Sequence, residues 1–173
     1  MIRAMKRYVA AVDRVNSLIG RVVMFGIFVL MGILLWSSIS KAFFLPSLWT
    51  LEMAQFAMVA YYILGGPYSI QMGSNVRMDL LYGEWKDRRK AQIDAITVLF
   101  LIFYLGILLW GGWDSLMYSF QYGGERSPTA WRPYLWPIKS IMVFGIFLML
   151  LQAVSELFKD ILRWRGEDMG AKT

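Results

Sequence analysis

The chain has 173 residues, 58% of them hydrophobic, with 18 Lys and Arg against 12 Asp and Glu, for a formal net charge of +6. It contains no Cys and no His, which excludes disulfides, thiolate nucleophiles and metal sites, bis-imidazole haem and most zinc sites, and removes the commonest general base. A mean hydropathy of +0.48 lies beyond the globular range and indicates a single membrane domain, 1–173.

Four runs, 22–40, 53–72, 95–113 and 140–155, hold 19, 20, 19 and 16 residues without one Asp, Glu, Lys or Arg. A helix of about 20 apolar residues crosses a hydrocarbon core of about 30 Å. The last run reaches that length if Lys139 turns its amine back to the interface. The fold class expected is an all-α integral membrane protein of four transmembrane helices, at about 20–42, 50–72, 93–118 and 136–158. All twelve acidic residues fall outside the four cores.

Ahead of the first span, Ile2, Met5, Val9, Val12 and Ile19 recur at helical spacing, with Arg3, Lys6, Arg7 and Arg14 mostly on the other side. That pattern predicts an amphipathic arm over 1–20, lying in the membrane interface. The first span is longer than a signal-peptide core and no small-residue cleavage site follows, so it is expected to be retained as an anchor.

Between the first two spans, Pro46 breaks the helix and Trp49 suits the interfacial aromatic belt. Glu52 falls in the first turn of the second span, where the helix dipole favours a carboxylate. Gly65, Gly66 and Pro67 lie inside that span, and Pro67 removes a backbone hydrogen bond, so a kink is expected there.

The middle loop from 73 to 90 carries Met78, Leu80, Leu81, Tyr82 and Trp85 before a charged cluster, the pattern of a short interfacial helix. The third span is expected to run past Asp114 toward Tyr122, with Gly123-Gly124 stopping it. The segment 123–137 holds Pro128, Pro133 and Pro137 together with Trp131, Tyr134 and Trp136: a stiff, aromatic loop. The fourth span continues into a charged tail over 159–173. Gly-Ile-Leu-Leu-Trp occurs twice, at 32–36 and 106–110, on spans that run in the same direction.

The basic residues are unevenly shared. Fourteen of them lie in the N-terminal arm, the middle loop and the C-terminal tail, and only Lys41, Arg126, Arg132 and Lys139 lie in the other two loops. The positive-inside rule therefore puts both termini in the cytoplasm and makes the basic excess a topology signal rather than a nucleic-acid site.

With no carboxylate at membrane depth, the chain is poorly equipped to move an ion or substrate alone. Glu125 with Arg126, and Asp79 with Arg77, are opposite charges in loops, an arrangement that ordinarily gives solvated ion pairs rather than acid–base catalysis. What remains is contact with other proteins, for which Gly26, Gly32, Ala54, Ala57, Ala60, Gly106 and Gly145 offer close helix approach.

These features resemble the small permease subunit, DctQ type, of tripartite ATP-independent periplasmic (TRAP) transporters. The resemblance covers about residues 10–160. It rests on four helices with both ends inside, Glu52 opening the second, the small residues late in that helix, and the closing motif Gly73-Ser-Asn-Val-Arg77-Met-Asp79-Leu-Leu81. The family pattern there is Gly-His-Val-Arg-Val-Asp and an apolar pair; Asn75 stands where His is frequent, so no role that needs an imidazole carries over. The stretch from Ser127-Pro128 through Trp131 to Pro137 is also similar.

The resemblance implies a non-enzymatic scaffold in the bacterial inner membrane, paired with a large permease subunit and served by a periplasmic substrate-binding protein during sodium-coupled uptake of an organic acid. Sodium is expected in the large subunit. No cofactor or metal is expected here; a bound phospholipid is compatible. Glu52, Arg77, Asp79, Glu125, Arg126, Trp131 and Arg132 are the candidate partner-contact or structural residues, with Trp49, Trp85 and Trp136 in the interface belt. The alternatives are an autonomous four-helix transporter or channel acting as a homo-oligomer, and an anchor for an unrelated complex.

Overall fold

The computed structural model describes residues 2–45, 47–73, 87–122 and 124–164, with the helical backbone alone at 87–92, 94, 95, 163 and 164. The described residues form five helices: α1 (Ile2–Val23), α2 (Gly26–Phe43), α3 (Thr50–Gln71), α4 (Asp87–Gln121) and α5 (Trp136–Trp164). Among the described residues, three helical stretches are long and apolar enough to cross a membrane: Ile2–Phe43, Ile96–Gln121 and Trp136–Leu162. The chain is thus an all-helical membrane protein. Where four such runs were expected, α3 is the exception. Its 22 residues extend about 33 Å, but Gln55, Tyr61, Tyr62, Gly65, Gly66, Pro67 and Tyr68 dilute its apolar character.

Only Met24 and Phe25 separate α1 from α2. Phe25 N bonds to Val22 O at 3.2 Å and Phe28 N to Phe25 O at 3.1 Å, the tighter i→i+3 pattern that marks a joint between helical segments. The arm therefore ends at Val23. Its buried positions are Val9, Asn16 and Gly20, set against α3 and α5, so part of the face that its periodicity assigns to lipid is covered by protein.

The hub is α5, which packs against α1, α3 and α4. Leu105 of α4 with Ile146 and Ala153 of α5 make the buried centre, flanked by Leu101, Leu109, Met149 and Leu150. Close approach of α3 to α5 depends on Gly145: a Cβ there would lie 2.3 Å from Ile63 Cγ2 and 3.1 Å from the Ile63 carbonyl oxygen. Gly32 and Gly106, by contrast, face open space. The repeated pentapeptides that they open also leave Trp36 and Trp110 exposed, at 51% and 74%, as side chains facing lipid or a partner would be.

A chain of hydroxyls closes the α2–α3 turn. Ser40 Oγ donates to Ser47 Oγ at 3.2 Å, Ser47 and Thr50 share a 3.0 Å bond, and Thr50 Oγ1 reaches Ser37 Oγ at 3.2 Å. Ser37, Ser40 and Thr50 are all buried, and satisfying one another is what makes burial of those hydroxyls tolerable. Pro67 sits within α3, which continues past it to Gln71. Of the 73–90 loop in which an interfacial helix was expected, 74–86 lie outside the described residues and 87–90 already belong to α4; of the expected tail over 159–173, 159–164 continue α5 and 165–173 lie outside the described residues.

Candidate functional site: an outer hairpin pinned to the helix ends

The loop between α4 and α5 folds back on itself. Arg126 and Tyr134 form an isolated antiparallel bridge, with Ser127 N to Pro133 O and Leu135 N to Glu125 O both at 3.0 Å. The prolines fix φ around the turn and leave few other backbone donors to satisfy. Gly124 adopts φ +94° beneath the Tyr134 ring, where a Cβ would come within 2.7 Å of Cε1; only glycine fits. At the tip, Arg132 has φ +48°, a left-handed conformation that costs a non-glycine residue about 1 kcal/mol or more.

The underside of this hairpin is fastened to three helices. Ser127 Oγ donates to Glu52 Oε1 of α3 at 3.0 Å. Glu125 pairs with Lys139 of α5 and accepts from Ser119 Oγ of α4 at 2.8 Å, while Lys139 donates to the same Ser119 oxygen at 2.8 Å. The Lys139 hydrogen bond, assisted by Ser119 and opposed by partial desolvation, holds the Glu125 carboxyl below its ordinary value. Glu52 is 3% exposed, and its Oε2 has no hydrogen-bond partner among the described residues.

The outer side presents Arg126, Trp131 and Arg132, all exposed. Arg126 donates to the Tyr134 hydroxyl and holds its guanidinium carbon 4.5 Å from the centre of that ring, a cation–π contact that fixes its direction. Trp136 opens α5 against Phe120, ring centres 5.9 Å apart, and Trp49 stands at the start of α3, 39% exposed. Of the candidates from sequence, Glu52, Glu125, Arg126, Trp131 and Arg132 thus meet around one hairpin. Arg77, Asp79 and Trp85 lie outside the described residues.

Sequence reasoning missed Ser119, Ser127 and the pairing role of Lys139. It also missed a second polar cluster at the opposite end of α5. Asn16 Nδ2 donates to Gln152 Oε1 at 2.7 Å, and Gln152 Nε2 donates to both Asp13 and Glu156 at 3.0 Å. Lys159 pairs with Asp13 at 2.9 Å and Glu156 at 2.7 Å. A Gln within an otherwise apolar run was the available signal, since a polar group at that depth needs partners.

Lys139 and Lys159 are 20 positions apart on α5, about 30 Å along the helix. That is about the thickness of a hydrocarbon core. No group of His, Cys, Asp or Glu able to hold a metal occurs among the described residues.

No curated protein matches the chain. The family model of the tripartite ATP-independent periplasmic transporters, DctQ component, matches residues 30–163, a stretch that includes α3, α4, all but the last residue of α5, Glu52 and the whole outer hairpin. The chain belongs to the DctQ component family of TRAP transporters, a non-enzymatic membrane subunit of a transport system.

Proposed function

We propose that this subunit is a static scaffold that steadies the large permease subunit and gives the periplasmic binding protein a docking platform, during sodium-coupled uptake of an organic acid. The one observation that carries this reading is the separation of the two ion-pair clusters to the ends of α5, with no charged side chain in the four apolar runs between. A subunit that carried an ion or substrate itself would need ionisable or polar groups at mid-depth. Sodium and substrate are then bound in the large subunit.

The topology that goes with it has four spans, α3 being the fourth, with both termini cytoplasmic in a bacterial inner membrane. The 14-to-4 division of basic residues supports this orientation. The chain's own α1, α2 and α5 cover much of the polar composition of α3, and a partner chain over the exposed Gln55 and Tyr62 would shield the rest. The hairpin over 124–135 is then periplasmic, and its three-helix fastening suits a surface that must keep its shape while another protein binds and leaves.

The test is detergent purification of a tagged copy from its native host, with mass spectrometry of what stays bound. Stoichiometric recovery of a large multi-spanning permease, and no uptake by vesicles holding this chain alone, is the expected result. A stable homo-oligomer that transports by itself would replace the scaffold with an autonomous transporter.

A further inference from the structure

Helix α1 carries four arginines in register. Positions 3, 7, 14 and 21 fall within an arc of roughly 40° at 3.6 residues per turn, and the stripe is about 27 Å long. Arg3, Arg7, Arg14 and Arg21 are all exposed, and none is in an ion pair among the described residues. The buried positions Val9, Asn16 and Gly20 centre about 140° away on the same wheel.

The one acidic residue of α1, Asp13, is turned off this face and engaged by Gln152, Ser155 and Lys159. Beside the stripe stand Leu18 and Val22, 64% and 66% exposed. The exposed face is therefore a row of uncompensated guanidinium groups bordered by bare aliphatic side chains.

The location of α1 selects the occupant. Its contacts fall near the C-terminal ends of two helices: Gly20 under Tyr68 of α3, and Tyr8, Asp13 and Asn16 on α5 between Leu151 and Lys159. Its own end leads within two residues into the apolar α2. A helix fixed at that level presents arginines to headgroup phosphates and Leu18 and Val22 to the acyl boundary. A soluble acidic partner would satisfy the first and leave the second bare.

We propose that the Arg3, Arg7, Arg14 and Arg21 face of α1 is a binding site for anionic phospholipid of the cytoplasmic leaflet. Phosphate oxygens take the guanidinium donors in charge-assisted bonds, and the leaflet's negative surface adds attraction that grows with each basic group near it. The docked seam to α5 acts as the rigid support, so the site is preformed rather than folded by the lipid. The proposal rests on the cytoplasmic placement of the N-terminus argued above, and not on which permease the subunit accompanies.

The experiment reconstitutes the full chain in phosphatidylcholine vesicles carrying trace spin-labelled phosphatidylglycerol or spin-labelled phosphatidylcholine. The immobilised fraction of each gives their relative association. The wild-type chain is expected to prefer phosphatidylglycerol severalfold at low salt, with the preference shrinking as salt screens it. R3Q/R7Q/R14Q/R21Q should lose at least about half of that preference on a logarithmic scale, the remainder coming from other basic segments. The corresponding four Arg→Lys changes should keep most of it.

Equal association of both lipids with wild type overturns the site, as does an undiminished preference in the Gln variant. If the quadruple variant does not reconstitute, R3Q/R7Q and R14Q/R21Q are measured separately, and no loss in either overturns it equally. Loss of the large subunit from the purified complex, with lipid preference unchanged, would make the face a protein contact instead. Because the chain is reconstituted alone, failure of the scaffold reading leaves these outcomes unaffected. An inverted orientation is read separately, by labelling Ala4→Cys in this cysteine-free chain with an impermeant maleimide.

Discussion

Ser127, in the hairpin that follows α4, donates a 3.0 Å hydrogen bond to the buried carboxylate of Glu52, 75 positions earlier at the start of α3. This bond ties the outer loop to a helix that is not its sequence neighbour. Ser127→Ala should loosen the hairpin without unfolding the bundle. A partly buried hydrogen bond is worth about 0.5–1.5 kcal/mol net, so amide exchange over 124–135 should speed up about two- to tenfold. Glu52→Gln keeps a carbonyl acceptor and should have a smaller effect. Equal exchange in wild type and Ser127→Ala would remove the bond from any role in holding the loop.

The Glu125–Lys139 pair predicts a pH response with a definite sign. The folded carboxyl titrates below its ordinary value, so its contribution is complete above the unfolded value of about 4.3. It is lost as pH falls through the lower, folded value. Hairpin protection should therefore be flat from neutral pH down to the ordinary Glu range and decline below it. Lys139→Met removes the main cause, so the carboxyl titration should move up toward that range and the acid-side loss of protection should shrink. Carboxyl titration followed by infrared difference spectra distinguishes the two profiles.

Gly145 should tolerate no side chain. With Ile63 backbone within 3.2 Å of a new Cβ, Gly145→Val must push α3 from α5, at about 1–3 kcal/mol or more. Thermal melting in detergent should show it. Gly32→Ala, in open space, is the control and should melt at or slightly above wild type, since Ala is the better helix former; a matching loss there would mean that the effect is not specific to the α3–α5 contact.

The inner cluster should decide whether α1 stays docked. Gln152→Leu fits the apolar run but takes three hydrogen bonds from Asp13, Asn16 and Glu156. Interhelical hydrogen bonds in membrane proteins average about 0.6 kcal/mol, so a loss of about 2 kcal/mol and faster proteolysis within α1 are expected. Unchanged cleavage would place the hold of α1 elsewhere, at Val9 and Gly20.

The exposed top of the hairpin should matter for uptake and not for assembly. Changing Arg126, Trp131 and Arg132 together should lower organic-acid uptake severalfold while the large subunit still co-purifies at full yield. Normal uptake in the triple variant would end the docking role for this surface.

Much of the molecule was legible beforehand because the signals are local. The apolar runs gave the helical segments, Glu52 was expected in the first turn of its helix, and the Pro-rich stretch over 123–137 was recognised as a stiff loop. The arm was legible as a helix, but its partner was not, since periodicity identifies a face and does not say what covers it. Ser119 and Gln152 carried no motif, and Ser127 was visible only as the start of the Ser127-Pro128 stretch, with no hint of its bond to Glu52. They matter because of what stands opposite, and that is a property of the packing.

The sequence alone determined that this chain is a helical membrane protein with its charges at the ends of its spans, because desolvating a charge in lipid costs too much to permit another distribution. Its order of short motifs also pointed to the family. Only the tertiary structure decided which of those charges meet. Lys139 with Glu125 and Lys159 with Asp13 are separated by 14 and 146 positions, and nothing in composition ranks those pairs above others. Close packing settled them. Once Gly145 lets α3 sit against α5 and Gly20 lets α1 reach Tyr68, each polar group near a helix end has few neighbours left to satisfy it.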